Sequence, residues 1–294
     1  QCLVGSEMCI RDRFYSLALA AGMLSLTACS DDNTNDSNND KGNGIENGSI
    51  LKGTITEDVT LKAGNTYKLS GEYIVEAGAT LNIEEGVKII SVYDNIVDYI
   101  LVKQGAKINA VGTPDKPIVM TSEKEEPGAW GGIHICGKAH TNAEGGKGSS
   151  EIGGAVYGGN DDADNSGTLQ YIRLEYTGFA FDEEHEANGI SFYGVGNGTI
   201  VDHCEAYKGS DDGFEFFGGS VNVSNMVVVS CSDDSFDWTE GWNGKGTDLV
   251  AYQEAKATLG YDCDCLIEAD NNENDNAATP VSLSLIHISE PTRH

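Results

Sequence analysis

The sequence of 294 residues is poor in basic residues and in proline. Lys and Arg total 18 against 47 Asp and Glu, which gives a formal net charge of −29 at pH 7. Such a charge repels phosphate groups, so nucleic acid and anionic membrane surfaces are not predicted partners. Only 5 prolines accompany 37 glycines. This balance is typical of tight turns between short strands rather than of a disordered tract.

Motifs of several enzyme classes are also missing. The sequence contains no nucleophile elbow, no phosphate-binding loop and no dinucleotide-binding fingerprint. From Ile50 onward no stretch shows convincing helical periodicity, whereas short β-rich runs alternate with glycine turns. An all-β domain is therefore predicted.

The cysteines do not predict a disulfide framework. Cys2, Cys9 and Cys29 fall in the N-terminal segments described below, and five others remain: Cys136, Cys204, Cys231, Cys263 and Cys265. An odd number leaves at least one thiol unpaired, and we expect most of them to be buried. Cys263-x-Cys265 has no second Cys/His pair at zinc-ligand spacing, so a zinc site is not predicted.

What the sequence does contain is a phrase written twice. Residues 210–217 read SDDGFEFF and residues 232–239 read SDDSFDWT, at a spacing of 22 (233 − 211). In a parallel β-helix each coil returns about 4.8 Å above its starting point, so equivalent residues stack. Further copies recur at offsets of 24 and 27 residues. The repeats predict a right-handed parallel β-helix over residues 49–281.

The repeated phrase has an apolar and an acidic face. Side chains alternate along a strand, so Phe214 and Phe216 are predicted to face the core and Glu215 the opposite side. Stacked carboxylates repel one another unless water, raised pKa values or a cation relieves them. Because calcium accepts six to eight oxygen ligands, a calcium site is predicted at Asp211, Asp212, Glu215, Asp233, Asp234 and Asp237. The alternative is a solvated acidic face whose Asp side chains cap turns.

Both ends of the sequence read as translated adapter. One oligonucleotide can encode Leu3–Asp12 on one strand and Ser284–Thr292 on the other. Roughly residues 1–13 and 282–294 are therefore predicted to be artefacts of sequencing-library preparation, with coincidence as the alternative. On this interpretation the natural ends are missing, and the truncated β-helix is expected to expose a sheet end.

An export signal follows the first of these segments. Phe14 to Leu26 is an apolar run too short to span a bilayer, and it ends in Leu26-Thr27-Ala28-Cys29. Residues 14–29 resemble a bacterial lipoprotein signal peptide, with Cys29 as the lipidated residue. Residues 30–48 begin Ser-Asp-Asp, which resembles a surface-export signal of Bacteroidota lipoproteins, and continue as a polar tether. Outer-membrane anchoring is predicted, with an ordinary secretory signal as the alternative.

The domain resembles a family of secreted or lipid-anchored right-handed β-helix proteins of Bacteroidota. The phrases that carry the resemblance are the stretch from Gly71 to Ile90, Trp130-Gly131-Gly132-Ile133, the loop Asn160–Gly167 and the stretch Gly209–Gly219. The resemblance implies a pectin-lyase-like solenoid and an extracellular location. It brings no settled activity.

Three functions stay open. The first is non-catalytic recognition of extracellular polysaccharide by a monomer, with Trp242 as an exposed stacking platform beside Glu240 and Asn243. The second is a calcium-dependent lyase or hydrolase, although the Gly-His-Gly and Arg-x-Lys motifs of β-helical hydrolases are absent. The third is a structural adhesin. A weaker calcium candidate, Asp162-x-Asp164-x-Ser166, has an Asx-rich turn as its alternative.

Overall fold

The computed structural model describes residues 44–282, except 95, 182–184, 273, 274 and 276. The predicted lipidation site Cys29 and the adapter-like residues 1–13 and 283–294 lie outside this part of the chain. Among the described residues, no helix has the length and apolar character needed to cross a membrane. Strand β1 (Gly44–Ile45) already pairs with the β-helix, so the tether predicted to reach residue 48 ends earlier.

The remaining elements are almost all short strands. Their bounds are β2 (Ile50–Ile55), β3 (Val59–Leu61), β4 (Thr66–Val75), β5 (Thr80–Ile83), β6 (Lys88–Ser91), β7 (Tyr99–Val102), β8 (Lys107–Val111), β9 (Ile118–Ser122), β10 (Ile133–Cys136), β11 (Gly148–Ser149), β12 (Val156–Tyr157), β13 (Gly167–Glu175), β14 (Ile190–Tyr193), β15 (Ile200–Tyr207), β16 (Phe214–Phe217), β17 (Asn222–Val229), β18 (Phe236–Thr239) and β19 (Gly246–Tyr252). A single helical turn, α1 (Lys256–Leu259), follows them.

The strands stack in three parallel columns. The first column contains the ends of β2 and β4, then β7, β10, β14, β16 and β18. The second contains β1, β3, β5, β8 and the first halves of β13, β15, β17 and β19. The third contains the starts of β2 and β4, then β6, β9 and the second halves of the same long strands. This arrangement confirms the predicted parallel β-helix.

The long strands turn from the second column to the third at one repeated position. Tyr171, His203, Asn225 and Asp248 occupy equivalent places in β13, β15, β17 and β19, with φ between 51° and 55°. This left-handed conformation is uncommon for residues other than glycine, and Asn and Asp tolerate it best. Stacking of the same bend in each coil keeps the columns in register.

The core fills the interior of the helix with stacked apolar side chains. Phe192, Phe216 and Trp242 form one stack, with ring centroids 5.0 and 4.5 Å apart. Phe214 stacks on Phe236 at 5.9 Å. Because strand residues alternate in direction, each pair of equivalent inward residues extends the core by one coil.

A long excursion, residues 137–166, leaves the helix between β10 and β13 and contains the antiparallel pair β11–β12. Its residues Ile152 and Tyr157 pack against Leu101 and Tyr193 on the outer side of the first column. The chain re-enters the helix at Gly167, where φ is +123° and a Cβ would lie 1.9 Å from the Ile108 carbonyl oxygen. Glycine is required there, and the first column is consequently buried on both sides where the excursion covers it.

The last described segment covers part of the expected open end. The Glu268 N–H donates to the Phe236 carbonyl at 3.0 Å, and the Asp270 N–H donates to the Trp238 carbonyl at 2.9 Å. Residues 264–270 therefore lie along the edge of β18 as an irregular further strand. The prediction that this sheet end is exposed is wrong for β18, because these backbone groups occupy its hydrogen-bonding edge.

All five cysteines of the described domain are free thiols. Cys136, Cys204 and Cys231 are buried, as expected for most of them, whereas Cys263 is half-buried and Cys265 is exposed. The equivalent of Cys204 in the next coil is Met226, so Cys204 and Cys231 do not stack, as predicted.

Replacing Phe216 by Ala tests the core stack. Phe216 is 1% exposed and lies between two aromatic rings, so we expect the free energy of unfolding to fall by about 3–5 kcal/mol. The control Tyr252→Ala, at a side chain that is 60% exposed, should change it by no more than about 0.5 kcal/mol. Urea denaturation of both variants measures the difference, and equal losses would contradict the assignment of the core.

Candidate functional site

The repeated phrases stack as predicted. Glu215 of β16 pairs with Asp237 of β18, while Phe214 and Phe216 pair with Phe236 and Trp238. The aromatic residues are buried in the core, and Trp238 is among them as expected. In the preceding coil, Ser191 occupies the position of Glu215. The acidic ladder therefore begins at β16, which confirms the predicted register.

A second ladder of side chains lies just before these strands. Asn188 Oδ1 accepts a hydrogen bond from the Asp212 N–H at 3.2 Å, and Asp212 Oδ1 accepts one from the Asp234 N–H at 2.9 Å. Asp234 Oδ1 accepts one from the Cys265 N–H at 2.6 Å. Each residue thus caps the turn of the next coil. Asp212 and Asp234 have the turn-capping role that was the alternative to calcium binding, but each such bond uses one oxygen of the carboxylate.

The carboxylates converge in groups of three. Within each group, one ligand oxygen from every residue lies within 4.8 Å of the others, and the groups are Glu186–Asp211–Asp233, Asp212–Glu215–Asp237, Asp212–Asp233–Asp234 and Asp234–Asp237–Glu268. All six residues predicted to bind metal belong to these groups. We call the set the carboxylate cluster.

Two members of the carboxylate cluster escaped sequence reasoning. Glu186 lies outside the repeated phrases, so no register places it beside Asp211. Glu268 follows Asp237 by 31 residues rather than 22. The strand-like fragment Leu266-Ile267-Glu268 was the available signal, because an irregular coil can end in a strand that continues the stack.

Burial dominates the electrostatics of the carboxylate cluster. Loss of solvent raises the pKa of Asp211 to about 8 and that of Asp237 to about 6. The pKa values of Asp212 and Glu215 are raised well above their usual range, first by burial and then by neighbouring carboxylates. The pKa of Glu268 rises to about 7, mainly through a hydrogen bond to Asp234. Protons or a cation must relieve this repulsion.

One oxygen of the carboxylate cluster lacks a partner. Asp237 is 9% exposed, and its Oδ1 receives no hydrogen bond from any described residue. In the described part of the chain, neither Lys nor Arg forms an ion pair with the six predicted ligands. A buried, unpaired carboxylate oxygen is costly. The all-oxygen donor set fits calcium better than zinc, which favours nitrogen and sulfur.

A cleft of about 720 Å³ adjoins the carboxylate cluster beneath the excursion. Its wall includes Tyr157, Tyr193 and Phe217, and Glu215 and Asp237 reach it from the ladder. Tyr193 and Phe217 stack at 4.4 Å, and Tyr157 lies 5.1 Å from Tyr193. The cleft therefore combines acceptor groups with a mostly buried aromatic wall.

The predicted ligand-binding trio is only partly supported. Trp242 is 1% exposed, because it stacks on Phe216 and donates through Nε1 to the Val221 carbonyl at 3.2 Å. The expectation of an exposed Trp242 platform is wrong. Glu240 does line the cleft, whereas Asn243 is exposed and lines a separate depression.

The weaker calcium candidate forms turn contacts instead. Asp162 Oδ1 accepts a hydrogen bond from the backbone N–H of His140 and lies 2.7 Å from His140 Nδ1. Asp164 Oδ2 accepts the Ser166 hydroxyl at 3.1 Å. Neither carboxylate belongs to a three-carboxylate group among the described residues. The geometry favours the Asx-rich turn.

The carboxyl pair does not have glycosidase spacing. Glu215 and Asp237 share a hydrogen bond between their carboxyl groups. The two carboxyl groups of a retaining or inverting glycosidase stand about 5–9.5 Å apart to admit the sugar or a water molecule. Nor does Lys or Arg lie among the described residues of the cleft wall, where a lyase would need its base.

The carboxylate cluster predicts an unusual dependence of stability on pH. A carboxyl group whose folded pKa is raised binds its proton more tightly when folded. Its contribution therefore falls as pH rises from about 4, the unfolded value, toward about 8 for Asp211 and about 6 for Asp237. In a chelator, the melting temperature should drop by several degrees between about pH 5 and pH 8.

The double substitution Asp211→Asn and Asp237→Asn is the control for this slope. Removing both titrating groups should flatten the dependence of melting temperature on pH. A wild-type melting temperature that rises over the same interval, or a slope unchanged in the double variant, would contradict the assigned electrostatics.

Comparison with protein families gives one match. The profile of the Pectate-lyase like beta helix domain matches residues 53–289, which include the first-column strands, the carboxylate cluster and the cleft. Comparison with curated proteins and with solved structures finds no match. The matched region covers most of the chain and coincides with the parallel β-helix. The chain therefore belongs to the pectate-lyase-like β-helix domain family.

Proposed function

We propose that this β-helix binds extracellular polysaccharide in the cleft without cleaving it, and that calcium occupies the carboxylate cluster. The observation that carries the proposal is the junction of the two features at Asp237. This residue belongs to a three-carboxylate group and also lines the cleft. A cation held there lies beside any saccharide that enters.

The groups around the cleft suit hydroxyl-rich ligands. Glu151, Glu240 and Asn142 present oxygen or amide groups to the cavity, while Tyr157 and Phe217 contribute apolar edges. Sites of this type fix a ligand through a few placed polar groups and gain contact area from aromatic side chains. Membership of a pectate-lyase-like family is consistent with a polysaccharide ligand.

Saccharide binding is tested on a panel of soluble neutral, acidic and amine-bearing polysaccharides. We expect retarded migration of the protein in a gel that contains its ligand and no shortening of that polymer. Glu240→Gln should weaken binding by about tenfold, the cost of one charged hydrogen bond. Glu123→Gln, which removes the same charge from an exposed ion pair with Lys68, is the control. Binding to none of the three classes would favour the structural adhesin instead.

Calcium has a structural argument of its own. The ladder brings Asp212, Glu215 and Asp237 together in a buried setting where their charges repel. A divalent ion would satisfy the unpaired Asp237 Oδ1 and replace the protons that raised pKa values otherwise retain.

Calcium titration of the full chain by calorimetry should show saturable binding. At a hundred times the Kd, binding contributes about 2.7 kcal/mol of stability, which corresponds to a melting-temperature increase on the order of 5–10 °C for a domain of this size. Asp237→Asn should abolish most of the increase, whereas Asp248→Asn, at an exposed position of β19, should leave it intact. No heat and no shift at millimolar calcium would remove calcium from the proposal.

The proposed location rests on the sequence. We propose that the chain is exported, lipidated at Cys29 and displayed as a monomer at the outer surface of a Gram-negative bacterium. The apolar run before Cys29 and the acidic residues after it support this location. Metabolic labelling with an alkyne fatty acid in a Gram-negative host tests it, because Cys29→Ser should lose the label.

A further inference from the structure

The cleft beneath the excursion carries charge of one sign. Seven of its sixteen described wall residues are acidic, and none is Lys, Arg or His. A charged cavity shielded from water selects ligands of the opposite charge and rejects those of the same charge. The composition of this wall therefore bears on which class of saccharide can enter.

A cation in the carboxylate cluster does not neutralise this wall. Glu215 and Asp237 are the only acidic wall residues that also belong to a three-carboxylate group within the described chain. Glu151, Glu240 and Asp270 line the cleft without belonging to one. Their charges face the cavity whether or not a cation is bound.

Two wall carboxylates present acceptors that need donors. Glu240 Oε2 accepts hydrogen bonds from the Thr141 hydroxyl at 2.6 Å and the Tyr157 hydroxyl at 2.8 Å, which fixes the carboxylate. No described residue donates to its Oε1. Asp237, nine-tenths buried, lines the same cleft with an unpartnered Oδ1. A ligand that enters the cleft must bring donors to these positions.

We propose that the saccharide bound in the cleft carries free, protonated amines, as in polymers of 2-amino-2-deoxyhexose, and that Glu240 and Asp237 receive its ammonium groups. This inference rests on the proposed polysaccharide function. An ammonium group supplies three hydrogen-bond donors and the missing positive charge. A uronic acid polymer would place further carboxylates against the wall, and an N-acetylated polymer would bring neither charge nor ammonium donors.

Three oligosaccharides of matched length separate these cases: oligomers of glucosamine, of N-acetylglucosamine and of galacturonic acid. Calorimetry with calcium present and at mildly acidic pH, where the amine is protonated, should give the tightest binding for the glucosamine oligomer. Acetylation should weaken it by at least about tenfold. Glu240→Gln should cause a similar loss, whereas Glu123→Gln should not. Melting temperatures of both variants show whether the fold is retained.

The outcomes distinguish the two proposals. Binding of the galacturonate or acetylated oligomer as tightly as the glucosamine oligomer overturns the amine inference but leaves polysaccharide recognition standing. Equal affinity for a lysine oligomer of matched charge also overturns it, because charge alone would then explain the binding. Absence of binding to every saccharide overturns the proposed function itself.

Discussion

Parallel hydrogen bonding between successive coils is the constraint on which the rest of the structure depends. It places each residue about 4.8 Å from its counterpart in the next coil. For Phe192, Phe216 and their neighbours this spacing builds a continuous core. For Glu215 and Asp237 the same spacing forces like charges together in a buried setting. One register thus produces both the stability of the solenoid and the electrostatic tension of its acidic face.

The excursion makes this tension useful. Residues 137–166 cover the outer side of the first column in its earlier coils, where Leu101 and Tyr193 take the place of the acids. At β16 and β18 the cover opens into the cleft, and the ladder becomes acidic. Turn-capping contacts of Asp212 and Asp234 hold two carboxylates in the deepest part of the cluster. The coils that carry charge are therefore also the coils that a ligand can reach.

The fold and the ladder could be predicted because they depend on local periodicity. Repeats such as residues 210–217 and 232–239 determine which residues stack, and the stacking holds in the structure. Contacts set by irregular segments could not be predicted. Glu186 and Glu268 join the cluster from outside the repeats. The expected Trp242 platform fails because the turn after β18 folds that ring back onto Phe216, which no strand alternation describes. The cleft depends on an excursion without periodicity.

The central claim is that the carboxylate cluster is a cation site built by coil stacking. Anomalous diffraction from a crystal of the full chain grown with a lanthanide in place of calcium tests it most directly. The account predicts a strong anomalous peak among Asp212, Glu215 and Asp237, with the Asp237 carboxylate as a ligand. Ordered carboxylates at this position with no peak between them, or peaks confined to exposed acidic residues elsewhere, would contradict it.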